Sequence, residues 1–346
     1  MNLSEGAKRW MGGFFALFAS AAFFLFPQQA AQGVQQGLLR CYQSLIPALF
    51  PFFILSELFL QSPLVKIVQM IFSPLCRLMH LPRESSGFLL SGWIGGFAAS
   101  AAGIGHAVSD GQLSKPQASL LLCACSSAGP SFVAGAVGCF LLKSPLMGAL
   151  LYFSQLAACV LSTAVLCRLY RCPPSSALNT VQARSFSDIL SSAVSSTLTV
   201  CGYVVFFQLL FALLPLDRFR WAAACLLEMT LGCSESILLN GYTPFAAAAS
   251  ISLLGCCAFL QISSLTGGVS LLLLLASRLL HLPIMCGCLY LLLRFLPASS
   301  TVWVSHNTPV ALPLRMPADA AVMFFIFVCC TVYSCRFALS RRKAGV

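Results

Sequence analysis

Carboxylates are scarce in this sequence: Asp and Glu number 9 in 346 residues, and charges of both signs make up only 8%. A soluble domain carries roughly a quarter of its residues as charges, so no water-soluble domain of any size is expected. Also missing are a Gly-rich phosphate loop with its lysine, a nucleophile elbow and a cluster of metal ligands. No enzyme site and no nucleotide-driven pump is therefore expected within the chain. Cysteine is plentiful at 18 residues, but no pair has the C-x-x-C spacing of a structural zinc site. Most cysteines (Cys123, Cys139, Cys159, Cys201, Cys225 and Cys329 among them) lie inside apolar runs, where the thiol packs as a small hydrophobe. Neither a metal nor any other cofactor is expected.

What the chain has instead is hydrophobic residues, 59% of the total. Its mean hydropathy is +0.89. Runs such as 10–26, 145–170 and 269–295 each supply roughly the 20 residues that cross about 30 Å of hydrocarbon. The fold class is all-α and polytopic, and the first partner is the lipid bilayer. The net charge of +11 is scattered over short loops and the tail, which fits topology signals rather than a nucleic-acid surface.

Taken in order, 10–26 reads as a retained first helix, followed by a glutamine-rich loop (Gln28, Gln29, Gln32, Gln35, Gln36) and a second span over 38–60. Residues 63–82, with Lys66, Arg77 and the nearby Arg83, form a basic amphipathic stretch at the cytoplasmic surface. Residues 87–108 are crowded with Gly and Ala and fit either a crossing or a re-entrant hairpin turning at 92–96. The hairpin keeps the basic loops 66–83 and 168–184 on one side, as the positive-inside rule asks. Spans then follow at 117–142, 145–170 and 189–214, a second hairpin at 221–242, and spans at 244–267, 269–294 and 318–337. The total is about eight transmembrane helices and two re-entrant hairpins, in a bacterial cell membrane with both termini cytoplasmic. Arg278 falls within a span.

The segment 120–138, LLLCACSSAGPSFVAGAVG, carries SSAGP at the centre of an apolar run. Proline removes a donor and clashes with the carbonyl four residues back, so the helix should open near Gly129. Residues 38–170 and 189–296 then share one order of elements, with 1–37, the linker 171–188 and 297–346 outside them. The two would be repeats of inverted topology with broken helices, an architecture common among secondary transporters. QISSLTGG, residues 261–268, would be the second interruption.

GWIGGFAASAAG (92–103), SDGQLSKPQA (109–118), SSAGPSFVAGAVG (126–138) and LLEMTLG (226–232) together resemble the YlbJ-type sporulation integral membrane proteins of the nucleoside-recognition (Gate) domain group. The resemblance runs in order over residues 38–295, most of the chain. It implies a spore-forming bacterium and a role in solute transport, with a nucleoside-like or anionic solute, or in the spore envelope. Where that family carries GYPVGA-like and NNSGP-like segments, this chain has GWIGGF and SSAGP, so polar side chains are lost where a ligand would sit.

The residues expected to line a mid-membrane site are Ser126, Ser127, Gly129, Pro130 and Ser131 at the first break, Gly95 and Gly96 at the first hairpin, and Gln261, Ser263 and Ser264 at the second interruption. With Pro130 opening the outer half-helix, the amides of Ser131, Phe132 and Val133 would face an anionic or electron-rich group. Neighbouring helices filling a proline kink are the structural alternative. Glu228, an acid within an apolar run, is the expected ion- or proton-coupling residue. Gln155 and Gln208 fit interhelical glue, and His106 a packed or interfacial residue. The leading function is a secondary transporter or permease for a small solute. The alternative is a non-transporting membrane protein of spore envelope or cortex assembly, acting through sporulation partners or as a homo-oligomer.

The hairpin assignment has a direct check. Cysteine introduced at Asp110 in a cysteine-depleted chain is expected to react with an impermeant reagent from the side that labels the 66–83 loop. Labelling from the opposite side alone would mean that 87–108 crosses.

Overall fold

The structure, a computed structural model, describes residues 13, 20–21, 23–169, 184–214, 219–239 and 241–295. The expected span 318–337, the basic tail and most of the expected span 10–26 lie outside the described residues, as does most of the linker 171–188.

Pro27 opens the first described helix, α1 (Pro27–Arg40), at the position where its missing N–H costs nothing. The glutamine-rich stretch expected as a loop is therefore helical. Glutamine is a good helix former, and all five glutamines are exposed while Ala30, Gly33 and Gly37 turn inward. One π-turn, Cys41–Leu45, carries the chain into α2 (Ile46–Gln61). The small inward residues let α1 lie directly on α8 (Phe186–Leu213). A Cβ added at Gly33 would stand 2.9 Å from Leu209 Cα, and one at Gly37 2.8 Å from Val205 Cα. This is the close approach that small-xxx-small spacing permits.

After α2 the chain turns by 92° into α3 (Val65–Leu78). Next come α4 (Ser86–Gly95) and α5 (Phe97–Ser109), which fold back on each other at Gly96. Phe88 and Gly103 face across the pair, 3.8 Å from ring carbon to a Cβ built on the glycine. The turn needs glycine, because Gly96 has φ +87°. The expected reversal at 92–96 is present.

α6 (Lys115–Cys125) begins at a capping box in which Ser114 and Gln117 hold each other's amides. It is buried without interruption from Ala118 to Cys125. The chain loses helical form at Ser126 and resumes as an 11-residue π-helix, π2 (Ser131–Leu141). α7 (Pro145–Leu169) returns beside it, with a Cβ built at Gly148 only 2.8 Å from Ala134 Cα.

α8 leads to a hairpin of two short helices, α9 (Arg220–Leu227) and α10 (Met229–Glu235), turning at Glu228. A Cβ at Gly232 would lie 2.9 Å from Cys225 Cα, so the two legs run side by side. Then come α11 (Thr243–Leu253), α12 (Gly255–Leu265) and the long α13 (Leu272–Phe295).

The break between α11 and α12 falls at Leu254 and Gly255, with φ of +64° and +76°. The interruption expected at residues 261–268 is thus misplaced. Gln261, Ser263 and Ser264 lie on α12, and Gly267 and Gly268, at φ +61° and +86°, terminate that helix. A glycine pair just past the last turn is a C-terminal stop, and it looks the same in sequence as a break.

Among the described residues every regular element is helical. Among these residues four helical segments, Pro145–Leu169, Phe186–Leu213, Thr243–Leu265 (α11 and α12 together) and Leu272–Phe295, are long and apolar enough to cross a membrane; the bent pair Leu49–Gln61 and Val65–Leu78 makes a fifth if counted as one span. Exposed apolar side chains such as Leu55, Phe140, Phe153, Leu198 and Leu272 suit hydrocarbon, whereas α5 and α6 fill the interior.

Gly37→Leu should force α1 away from α8. The expected loss is about 1–3 kcal/mol of stability, read as a lowered unfolding temperature in detergent, while Gly135→Ala, with open space around it, should change little.

Candidate functional site

The last four carbonyls of a helix have no partner within it, and at the end of α6 each neighbouring element supplies one. Arg278 of α13 donates from NH2 to Cys123 O at 3.1 Å and from NH1 to Ser126 O at 2.9 Å. Trp93 Nε1 of α4 donates to Ala124 O at 3.0 Å, and Ser100 Oγ of α5 to Cys125 O at 3.3 Å. The amide of Phe97, just past the Gly96 turn, donates to Ser127 O at 2.6 Å, and Ser127 Oγ donates to Gly92 O at 2.9 Å. Gln155 of α7 holds both backbone groups of Ala128: its Oε1 accepts from Ala128 N at 3.2 Å and its Nε2 donates to Ala128 O at 2.9 Å. The break is closed by protein, which is how irregular backbone survives where water is excluded.

This places the expected residues unequally. Ser126, Ser127, Gly95 and Gly96 are buried together, and Gly129 packs on the Gly96 turn. Pro130 is half-buried and Ser131 is exposed. Two of the three amides expected to be free after Pro130 are taken, since Phe132 N and Val133 N both donate to Gly129 O, at 3.1 and 3.0 Å. Ser126 Oγ, on a fully buried residue, has no hydrogen-bond partner among the described residues.

Beside Ser126 lies a polar cluster formed between the halves of the chain. Arg278 is 1% exposed, and no carboxylate among the described residues pairs with it. One turn on, His281 Nε2 lies 3.2 Å from Gln155 O and His281 Nδ1 2.7 Å from Ser252 Oγ. A carbonyl can only accept, so the neutral ring carries its proton on Nε2 and Ser252 donates to Nδ1. Cys159 Sγ, 3.5 Å from Nε2, completes the group. Ser252 stands two residues before Leu254, so His281 links the wall of the first break to the helix turn that precedes the second. The sequence carries a signal for this pair: an arginine and a histidine on one face of a 24-residue apolar helix meet the same rule that selects Glu228.

Glu228 is buried, at 4% exposure, and forms the turn of the second hairpin. Its carboxylate caps α10, with Oε1 accepting from Thr230 N at 2.9 Å and Oε2 from Leu231 N at 2.8 Å, and it also bonds the Thr230 hydroxyl. Arg40 of α1 reaches Thr230 Oγ1 at 2.7 Å and Ser234 Oγ at 3.2 Å. With the Gln208 amide oxygen turned toward Arg40, it accepts from Nε at 3.0 Å and NH1 at 3.2 Å. Gln208 therefore joins α8 to the half-buried Arg40 of α1. A Cβ on Gly255 would stand 2.9 Å from Glu228 N, so each hairpin turn touches a helix break, Gly96 against Gly129 and Glu228 against Gly255.

The three residues of QISSLTGG belong to neither break. Gln261 is buried, with Nε2 on Cys257 Sγ at 3.1 Å and Oε1 without a partner among the described residues. Ser264 is exposed and donates to Gln261 O at 2.9 Å, and Ser263 is half-buried. His106 has company that its sequence position does not reveal. Arg184 NH1 lies 2.8 Å from its Nδ1 and Ser192 Oγ 3.0 Å from its Nε2, while Glu57 Oε1 lies 3.1 Å from Arg184 NH1. The cluster ties the end of the first hairpin to α2 and α8. No trio of His, Cys, Asp or Glu among the described residues is placed to hold a metal.

These features define an α-helical integral membrane protein whose two hairpins each support an interrupted helix. Over 152 residues, 44% of this chain, it is 31% identical to the Sporulation integral membrane protein YlbJ of Bacillus subtilis (strain 168), and the match covers 37% of that protein's length. No family model matches the chain, and no solved structure matches it. The relative's name agrees with the membrane character and sporulation link that the sequence motifs imply.

Gln155→Leu removes the clamp on Ala128 and strands a buried N–H and C=O, at about 1–3 kcal/mol for each group left unpaired. The variant is expected to insert but to unfold at lower temperature, whereas Gln155→Glu should lose less, because a protonated carboxyl there can accept from Ala128 N and donate to Ala128 O. Equal losses would place the effect elsewhere than in the Ala128 pairing.

Proposed function

We propose that the chain is a secondary transporter or permease for a small anionic solute in the cell membrane of a spore-forming bacterium. The observation that carries this reading is Arg278, a buried cation with no acidic partner among the described residues, beside the unpartnered Ser126 hydroxyl. A buried charge is costly unless paired, and an anion arriving between α6, α7, α11 and α13 would supply the missing partner. In this reading residues 38–170 and 189–296 are inverted repeats and the cluster lies where they meet, the usual place for a substrate in such carriers. Glu228, tied to α1 through Thr230 and Arg40, is the proposed coupling group, and its carboxylate would leave the α10 cap when it binds a proton or cation. Ser127, Gly95 and Gly96 act as the support of the break, and Gln261 and the serines of α12 take no part in binding.

The alternative, a non-transporting protein of spore envelope assembly, is favoured by one observation: the backbone of the first break is occupied by Arg278, Trp93, Phe97 and Gln155, which leaves the interruption as a rigid structural joint.

Proteoliposomes loaded in parallel with inorganic phosphate, acetate or a nucleoside separate the two. Wild type is expected to pass an anion, and Arg278→Gln to reduce that flux by about tenfold or more, the worth of one charge-assisted contact, with normal insertion. Nucleoside flux that Arg278→Gln leaves intact would overturn the anion assignment. No flux of any solute, together with a variant that still supports sporulation, would favour the assembly role.

A further inference from the structure

Helix α3 (Val65–Leu78) presents three faces. At about 100° per residue, Val65, Val68, Phe72 and Cys76 share one face, and this face packs on the protein. Cys76 is fully buried and the Phe72 ring lies 5.6 Å from that of Trp93 in α4. A second face, Ile67, Ile71 and Leu78 with Leu64 just before the helix, is open: Ile67 is 53% and Ile71 61% exposed. The third carries Lys66, Gln69, Ser73 and Arg77. Lys66 and Arg77 are both exposed, stand about 16 Å apart along the helix, and pair with no carboxylate among the described residues. The nearby Arg83 differs, since it meets Glu84 at 3.2 Å.

The helix also lies across the chain's direction of travel, at 92° to Leu49–Gln61 of α2. Water alone would leave the isoleucine stripe exposed, and hydrocarbon alone would strip two cations. Only the boundary between acyl chains and headgroups satisfies both open faces while the first stays packed on α4.

We infer that α3 is a lipid-binding element that lies in the membrane surface and holds anionic phospholipid headgroups at Lys66 and Arg77. The isoleucine face anchors the helix at acyl depth, and the two cations, three turns apart, each take one phosphate. Because the packed face of α3 lies, through Phe72, against Trp93 of α4, whose indole closes the first break through Ala124 O, the lipid contact abuts the element that supports the break. The assignment does not depend on transport.

The test uses the full chain in phosphatidylcholine vesicles containing a minor fraction of phosphatidylglycerol, with spin-labelled forms of each lipid in turn. Wild type is expected to immobilise phosphatidylglycerol over phosphatidylcholine by about threefold or more, a preference that falls with added salt. Lys66→Gln/Arg77→Gln should remove most of the preference, and Arg83→Gln should leave it unchanged. A fluorophore on Ile71→Cys should be quenched by lipid-borne quenchers and not by aqueous iodide. Equal preference in wild type and the double variant, no preference in wild type, or quenching by iodide alone would each overturn the assignment.

Discussion

A helix interrupted inside hydrocarbon leaves amides and carbonyls that water cannot reach, and each of them must find a partner in the protein. The architecture of this chain follows from that constraint. At the end of α6 the partners come from four helices: indole from α4, a backbone amide and a hydroxyl from α5, an amide side chain from α7 and a guanidinium from α13. Those helices cannot be positioned independently, because each bond is short and each donor is rooted in a different element. The break is thus the joint at which the two halves of the chain are fastened.

Small residues make the fastening possible. The Gly96 turn reaches Ser127 O because neither glycine of the turn carries a side chain, and Gly255 lets the Glu228 backbone approach in the same way. Along α1 and α8, and between π2 and α7, glycines bring helix axes close enough for packing to replace the hydrophobic drive that lipid does not provide. Strain is accepted where two such approaches meet, as at Leu254, a buried leucine with φ +64°.

Charges are distributed by the same economy. Arg40 is solvated by Thr230, Ser234 and Gln208, Glu228 by the amides of its own helix, and Glu57 by Arg184 beside His106. Arg278 stands apart. Its partners are carbonyl dipoles at the negative end of a helix, which orient the guanidinium without neutralising it. That residual charge, in the cluster with His281, Gln155 and Ser252, is the physical basis of the transport reading.

Much of this was legible in the residues themselves. The apolar runs marked α7, α8, α13 and the α11–α12 pair, proline and glycine marked the break after Cys125 and the turn at Gly96, and an acid in an apolar run marked Glu228 as buried. Such signals are local: each depends on the helix period, the backbone chemistry of one residue or the cost of one charge. The partners were not legible. Gln155, Trp93 and Arg278 meet Ala128, Ala124 and Ser126 across as many as 152 positions, and nothing in a single sequence specifies such pairings. The second break was misplaced because a helix-ending glycine pair and a helix-breaking one look alike until φ and the neighbouring backbone are known. The glutamines of α1 read as a loop because their polarity hid the Ala30, Gly33 and Gly37 stripe that only the facing helix α8 explains. Sequence alone thus determined where the chain must bend and which residues could not face lipid. Tertiary structure decided which groups close each bend, because that depends on distances between helices rather than on order along the chain.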